Sequence, residues 1–265
     1  MSRLTCLLLV AALVWGFGRV RAAGAPPNIV IILVDDLGWT DLGVYGSRFH
    51  HTPNLDRLAG EGLRFTDAYS ACTVCSPTQA VVLTGKHPAR LHFTDGVPGD
   101  TRPKARLKPP AWSQGMDPGE PNLARQLKAA GYATAIIGLL TDREGLEAIA
   151  FMEANRSRPF FLFLADHAVH PPITGKPAVT ARYRAEADPW SGQHDAEYAA
   201  LLESVDDSVG RIRSRLGESG IASNTVIVFT SDNGGLVLGG DRAPTSNWPL
   251  RSGKGDCTKG GSVSL

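Results

Sequence analysis

Three places in this 265-residue chain gather oxygen or imidazole side chains directly behind a short apolar run: Asp35-Asp36, Asp166-His167 with His170, and Ser231-Asp232-Asn233. Asp35, Asp36, Asp232 and Asn233 together make an all-oxygen donor set. Hard dications such as Ca2+ take carboxylate and amide oxygens, and thiolate-loving metals do not. Two adjacent acids also repel each other unless a cation or a donor sits between them. Each piece alone has a plainer reading: Asp35 can cap a turn, and Asp232-Asn233-Gly234 suits a β-turn. Taken together behind two buried strands, they read as a divalent-cation site. Cys72-x-x-Cys75 has the spacing of a redox pair or half a zinc site, but no second such pair follows it.

The elements that must position these groups are legible from periodicity. The runs Ile29–Val34, Thr134–Ile137, Phe160–Ala165 and Thr225–Thr230 are continuous rather than alternating, as expected of strands buried on both faces of a parallel sheet. Between them lie predicted helices. One opens with Thr52 as N-cap and Pro53 at the first position and carries Leu55, Leu58 and Leu63. Others cover Pro121–Ala130, stopped by Gly131, Arg143–Asn155, and His194–Leu216 with apolar residues at helical spacing. The alternation implies an α/β fold: a mixed, mostly parallel sheet with helices on both faces. Ligands bind beyond the carboxyl ends of such strands. Three of the four ends carry polar groups, and the fourth runs into Gly138-Leu139-Leu140. Phe93–Gly119 is rich in Pro, Gly and basic residues without periodicity, and is expected to be a surface excursion at the rim of the site.

Hydrophobic content of 43% is ordinary for a globular chain, and a formal charge of +1 draws it neither to nucleic acid nor to an anionic membrane. At the N-terminus, Arg3, the apolar run Leu4–Phe17 and the small-x-small site Val20-Arg21-Ala22 read as a signal peptide. The run is too short to span a bilayer comfortably, so no stable membrane anchor is expected. Residues 1–22 are expected to be removed and residues 23–265 to form one exported domain: periplasmic, extracellular or lysosomal. Cys6 leaves with that segment, so the remaining cysteines make no disulfide framework.

A set of motifs in order along residues 27–255 resembles the formylglycine-dependent sulfatase family of the alkaline-phosphatase superfamily, arylsulfatases included. These are Pro27-Asn28-Ile29-Val30 through Asp35-Asp36-Leu37-Gly38, Thr52-Pro53-Asn54-Leu55-Asp56-Arg57-Leu58-Ala59, Phe65 with Ala68-Tyr69, Cys75-Ser76-Pro77-Thr78, and Leu83-Thr84-Gly85-Lys86. Pro159–Leu164 with His170, Asp232-Asn233-Gly234-Gly235 and Leu250-Arg251-x-Gly253-Lys254-Gly255 complete the series. The resemblance implies hydrolysis of sulfate esters. Cys75 would be the precursor of formylglycine, whose hydrate attacks sulfur and then expels sulfate. It would open a helix Pro77–Leu83, whose positive end steadies an oxyanion. Asp35, Asp36, Asp232 and Asn233, with modified Cys75, would hold Ca2+ as Lewis acid and template, and His170 and Lys254 would contact the sulfate. The implied partners are a sulfated small molecule or glycan and the formylglycine-generating enzyme.

Three departures from the family pattern bear on activity. Gln79 stands where the family has arginine, and an amide cannot imitate a fixed positive fork. The strand Thr134–Ile137 runs into Gly138-Leu139-Leu140-Thr141 instead of the family's Gly-Lys-Trp-His-Leu-Gly, so an internal segment carrying a lysine and a histidine is expected to be absent. After Lys254-Gly255 the sequence Asp256–Leu265 leaves the family pattern, as a frameshift would produce, and a C-terminal subdomain is expected to be missing. Impaired sulfatase is therefore the first expectation. An inactive relative that binds metal or sulfated glycan, and a phosphohydrolase of the same superfamily using Cys75, Ser76 or Thr78, are the alternatives.

Overall fold

The computed structural model describes residues 24–99, 106, 111–138, 142–186, 192–237 and 243–264. The expected signal peptide, residues 1–22, lies outside them, as do residues 139–141 behind the third predicted strand and most of the middle of the Phe93–Gly119 excursion. In chain order the elements are β1 (Asn28–Val34), α1 (Pro53–Glu61), β2 (Ala68–Tyr69), α2 (Cys75–Thr84), α3 (Pro88–Leu91) and α4 (Leu123–Ala129). There follow β3 (Ala133–Gly138), α5 (Asp142–Ala154), β4 (Phe160–Asp166), α6 (Pro177–Glu186), α7 (Ala196–Glu218), β5 (Thr225–Ser231), α8 (Lys259–Ser262) and β6 (Val263–Ser264).

The four long strands form one sheet in the order β3-β4-β1-β5, parallel throughout. Among the described residues, antiparallel pairing is confined to the short β2–β6 ladder. The two central strands are almost fully buried, which is why their sequences are continuous apolar runs. On one face, Val30, Ile32, Val34, Phe160, Leu162 and Leu164 pack against α1, α5 and α7; on the other, Ile31, Leu33, Phe161 and Phe163 meet Val82 and Leu83 of α2 and Leu127 of α4. Burying each of these side chains contributes about 1.5–3 kcal/mol. Asn28 pins the register at the start of β1: its side chain accepts from the Phe160 N–H at 3.2 Å and donates to Thr225 Oγ1 at 3.2 Å.

Several local expectations need correction. Thr52 does not cap α1; its hydroxyl accepts from the Gly43 N–H at 2.9 Å and faces Asp56. The open N–H groups of Asn54 and Leu55 are taken instead by the Asp206 carboxylate of α7, at 3.1 and 2.8 Å. Leu63, expected within the helix, lies beyond its end and is exposed. Helix α2 begins at Cys75 rather than Pro77, so the cysteine belongs to the first turn. Helix α6 was not predicted, because only Tyr183 and Thr180 of its ten residues are buried and its sequence has no apolar stripe.

Candidate functional site

Parallel register sets the site. Val34 lies opposite both Asp166 of β4 and Ser231 of β5, so Asp35, His167 and Asp232 emerge at one level above the sheet. The Asp35 N–H donates to Asp166 O at 2.7 Å, and the Asp232 N–H to Val34 O at 3.3 Å, extending the ladder to the ligand positions. Asp36 then turns with φ +64°, a left-handed conformation that costs a non-glycine residue free energy and that cores tolerate mainly at functional sites. Its N–H donates to Asp232 Oδ1 at 3.3 Å, and Asn233 Nδ2 donates to Asp36 Oδ1 at 2.8 Å.

The other groups arrive from separate elements. A carboxylate oxygen of Asp35, one of Asp232 and Cys75 Sγ all lie within 4.8 Å of one another, and so do Asp35, Asp36 and a ring nitrogen of His170. Lys254 Nζ lies 2.7 Å from Asp36 Oδ1 and 3.7 Å from Asp35 Oδ1. Its loop is fastened on two sides: Lys254 N–H donates to Gly235 O at 3.1 Å, and Gly255 N–H donates to Thr73 O, just ahead of Cys75, at 2.8 Å. Asn247 secures the same corner, accepting from the Gly235 N–H at 3.1 Å and donating to Gly235 O at 3.0 Å and Ser252 O at 3.2 Å. Gly235 is required there: a Cβ would come within 2.5 Å of Thr245 Cγ2 and 3.0 Å of Gly38 Cα.

Burial, then the neighbouring Asp36, pushes the Asp35 carboxyl above its usual pKa, and burial with Asp35 raises Asp232 well above it. Burial raises the Cys75 thiol as well, with Asp35 and Asp232 adding to the shift, so the acids oppose a bare thiolate. Burial works against the Lys254 ammonium, but Asp36 and Asp35 outweigh it and hold the proton more tightly than usual. A concentration of carboxylates this destabilised calls for positive charge.

The donor set fits a hard dication. Asp35 Oδ1 and Asn233 Oδ1 are buried and accept no hydrogen bond among the described residues, and the Asn233 amide is turned so that its NH2 faces Asp36 and Gly234. Oxygen acceptors left open in this way are what Ca2+ uses. All seven sequence-derived site residues therefore meet around one point: Asp35, Asp36, Cys75, His170, Asp232, Asn233 and Lys254. Cys72 and Cys257 stand as free thiols outside that set.

Two participants were noticed in the sequence but not assigned to the site. His167 places Nε2 3.5 Å from Asp35 Oδ2 and its ring 6.4 Å from that of His170; its position directly behind β4 was the available signal. Gln79, read only as a lost arginine, donates from Nε2 to Asp232 Oδ2 at 3.0 Å. Nothing local in the sequence marked Asn247.

An open parallel sheet with a cluster of carboxylates and a helix-opening thiol beyond its carboxyl ends defines an α/β protein whose donor set could hold a metal ion. The chain belongs to the sulfatase family: the Sulfatase family model matches residues 27–146 and 141–263. The N-acetylgalactosamine-6-sulfatase of Sus scrofa is 32% identical over 96% of this chain and 59% of its own length. Arylsulfatase A of Homo sapiens is 30% identical over 91% of this chain and 58% of its own length. The crystal structure of Ps i-CgsB in complex with k-i-k-neocarrahexaose superposes with a TM-score of 0.77 at 25% identity, covering 91% of this chain and 65% of that one. The chain thus spans somewhat over half the length of the curated relatives it matches. The two matched segments meet behind β3, where an absent internal segment was expected, and the aligned stretch of the pig enzyme is several dozen residues longer than the part of this chain it covers.

Proposed function

We propose that this chain is the metal-binding catalytic portion of an exported sulfuric ester hydrolase acting on sulfated sugars. The observation that carries the reading is that ligand atoms of Cys75, Asp35 and Asp232, from α2 and from the ends of β1 and β5, lie within 4.8 Å of one another. Asp35, Asp36, Asp232 and Asn233 would hold Ca2+, which supplies Lewis-acid charge for sulfate oxygens. Oxidation of Cys75 by a formylglycine-generating enzyme would supply the hydrated aldehyde as nucleophile. The remaining work falls to the chain's own side chains. Lys254 brings a fixed positive charge to the sulfate position. His170, with Nδ1 2.8 Å from Pro171 O and Nε2 turned toward Asp36, is placed to pass a proton to the leaving oxygen. The first turn of α2 presents backbone N–H groups to negative charge. Neither nucleic acid nor a membrane anchor enters this reading; no helix among the described residues is long and apolar enough to cross a membrane. The names of the pig and rat relatives make an N-acetylgalactosamine sulfate the first substrate to try.

The Gln79–Asp232 hydrogen bond supports a second reading, in which the same site binds Ca2+ and sulfated glycan without turnover. A neutral amide orients Asp232 but adds no charge, and losing a charged partner in such a site costs about 1.5–3 kcal/mol, roughly ten- to a hundredfold in rate. Two measurements test the proposal. Saturating Ca2+ should stabilise the chain by about 2.7 kcal/mol at a hundred times Kd, and Asp35→Asn should abolish that gain. Mass spectrometry of the Cys75 peptide should show the aldehyde. An intact thiol with no aryl sulfate cleavage selects the second reading, activity on aryl phosphate alone selects a phosphohydrolase, and absence of any Ca2+ stabilisation removes the sulfatase-type site altogether.

A further inference from the structure

A cleft of about 540 Å³ is walled by Trp39, Tyr45 and Trp248 and by Thr40, Gln193 and Ser246. None of its lining residues is charged. We infer that this cleft is a subsite for a neutral sugar ring, the glycan residue next to the one that carries the sulfate. The inference rests on the sulfated-sugar reading above and names where the rest of that substrate lies.

The lining chemistry selects the occupant. A sugar ring has an apolar C–H face and a rim of hydroxyls, and it needs flat aromatic surface with a few polar atoms at the edge. An anionic sulfate finds no counter-charge here, and Thr40, Gln193 and Ser246 make part of the lining polar. Trp248 is 77% exposed, which for so large an apolar ring marks a contact surface. The other aromatic walls are held rigid: Trp39 Nε1 donates to Asn247 O at 3.2 Å, Tyr45 OH donates to Phe65 O at 2.8 Å, and the two rings meet edge to face at 6.2 Å. Rigid platforms lose little conformational entropy on binding.

Both walls of the cleft are tied to the site by short stretches of chain and by hydrogen bonds. Trp39 follows Asp36 by three residues, a reach of at most about 11 Å. On the other wall, Asn247 sits between Ser246 and Trp248 and grips Gly235, to whose carbonyl Lys254 is also bonded. Thr40 Oγ1 donates to Ser246 O at 2.8 Å and closes the two walls together. A glycan whose sulfate sits at Lys254 and His170 is therefore within reach of the aromatic cleft with its neighbouring ring.

The test uses the full chain, an uncharged galactan tetrasaccharide as probe, and ligand-observed NMR with tryptophan fluorescence as readouts. Binding to the unaltered protein is expected. Trp248→Ala should weaken it about tenfold, and Trp248→Tyr should recover most of the loss, while Ca2+ stabilisation stays unchanged in both. Trp248 is exposed, so neither variant threatens folding. Failure of the probe to bind, or equal affinity for the Trp248→Ala protein, overturns the subsite; if Ca2+ still stabilises the chain, the sulfatase reading survives that failure. Binding that depends on Trp248 without any Ca2+ stabilisation upholds the subsite and defeats the metal-site reading.

Discussion

Gln79 Nε2 donates to Asp232 Oδ2 at 3.0 Å, across 153 residues of sequence, joining α2 to the end of β5. The amide at this position holds Asp232 without bringing it any charge. Asp232 is buried and pushed toward its protonated form, and one neutral donor is a small correction to that.

Gln79→Leu should therefore leave a buried carboxylate oxygen without its donor and lower the unfolding free energy by about 1–3 kcal/mol in urea titrations. Gln79→Arg should not by itself bring turnover of an aryl sulfate, because the segment behind β3 still supplies no lysine or histidine. Full activity in that single variant would overturn the account of impairment.

His50 gives a pH prediction away from the metal-type site. Burial holds its imidazole below the ordinary 6.5, against the pull of Asp41 and Asp195, and its Nδ1 is fixed 2.9 Å from Asp41 O. The unfolded chain takes up this proton as pH falls through 6.5 and the folded chain does not, so stability declines from there toward the depressed folded pKa. Burial raises Asp41 in the same cluster, which gives the folded state an extra proton and opposes the decline at lower pH. His50→Gln should flatten the fall in Tm between about pH 7 and 5.5; parallel slopes for the two proteins would show that His50 takes up its proton equally in the folded and the unfolded chain.

The outer strands predict solution behaviour. Val226 and Val228 of β5 are 49% and 41% exposed and lie on the last strand of the sheet, whose outer edge pairs with no strand among the described residues. Such an edge templates association. Replacing both valines with lysine should suppress light scattering on warming while changing unfolding free energy by no more than about 0.5 kcal/mol per site. Unchanged scattering would place the aggregation surface elsewhere.

The four strands, their parallel pairing and the covered faces were legible in the sequence, because burial on both sides demands unbroken apolar runs and short-range patterning reports burial directly. The acid pairs were legible for a related reason: they follow those runs immediately, and strand ends face the ligand side. What only the tertiary structure decided is who partners whom. Helix α1 is capped by Asp206 rather than Thr52, Gln79 reaches Asp232, and Asn247 ties Gly235 to the Lys254 loop. Each of these contacts rests on one to three hydrogen bonds between residues with no periodic signature, set by how whole elements stack. The aromatic cleft is of the same kind. Trp39, Tyr45 and Trp248 are ordinary in the sequence, and become one surface only when the loop behind β1 and the loop before Lys254 fold against each other.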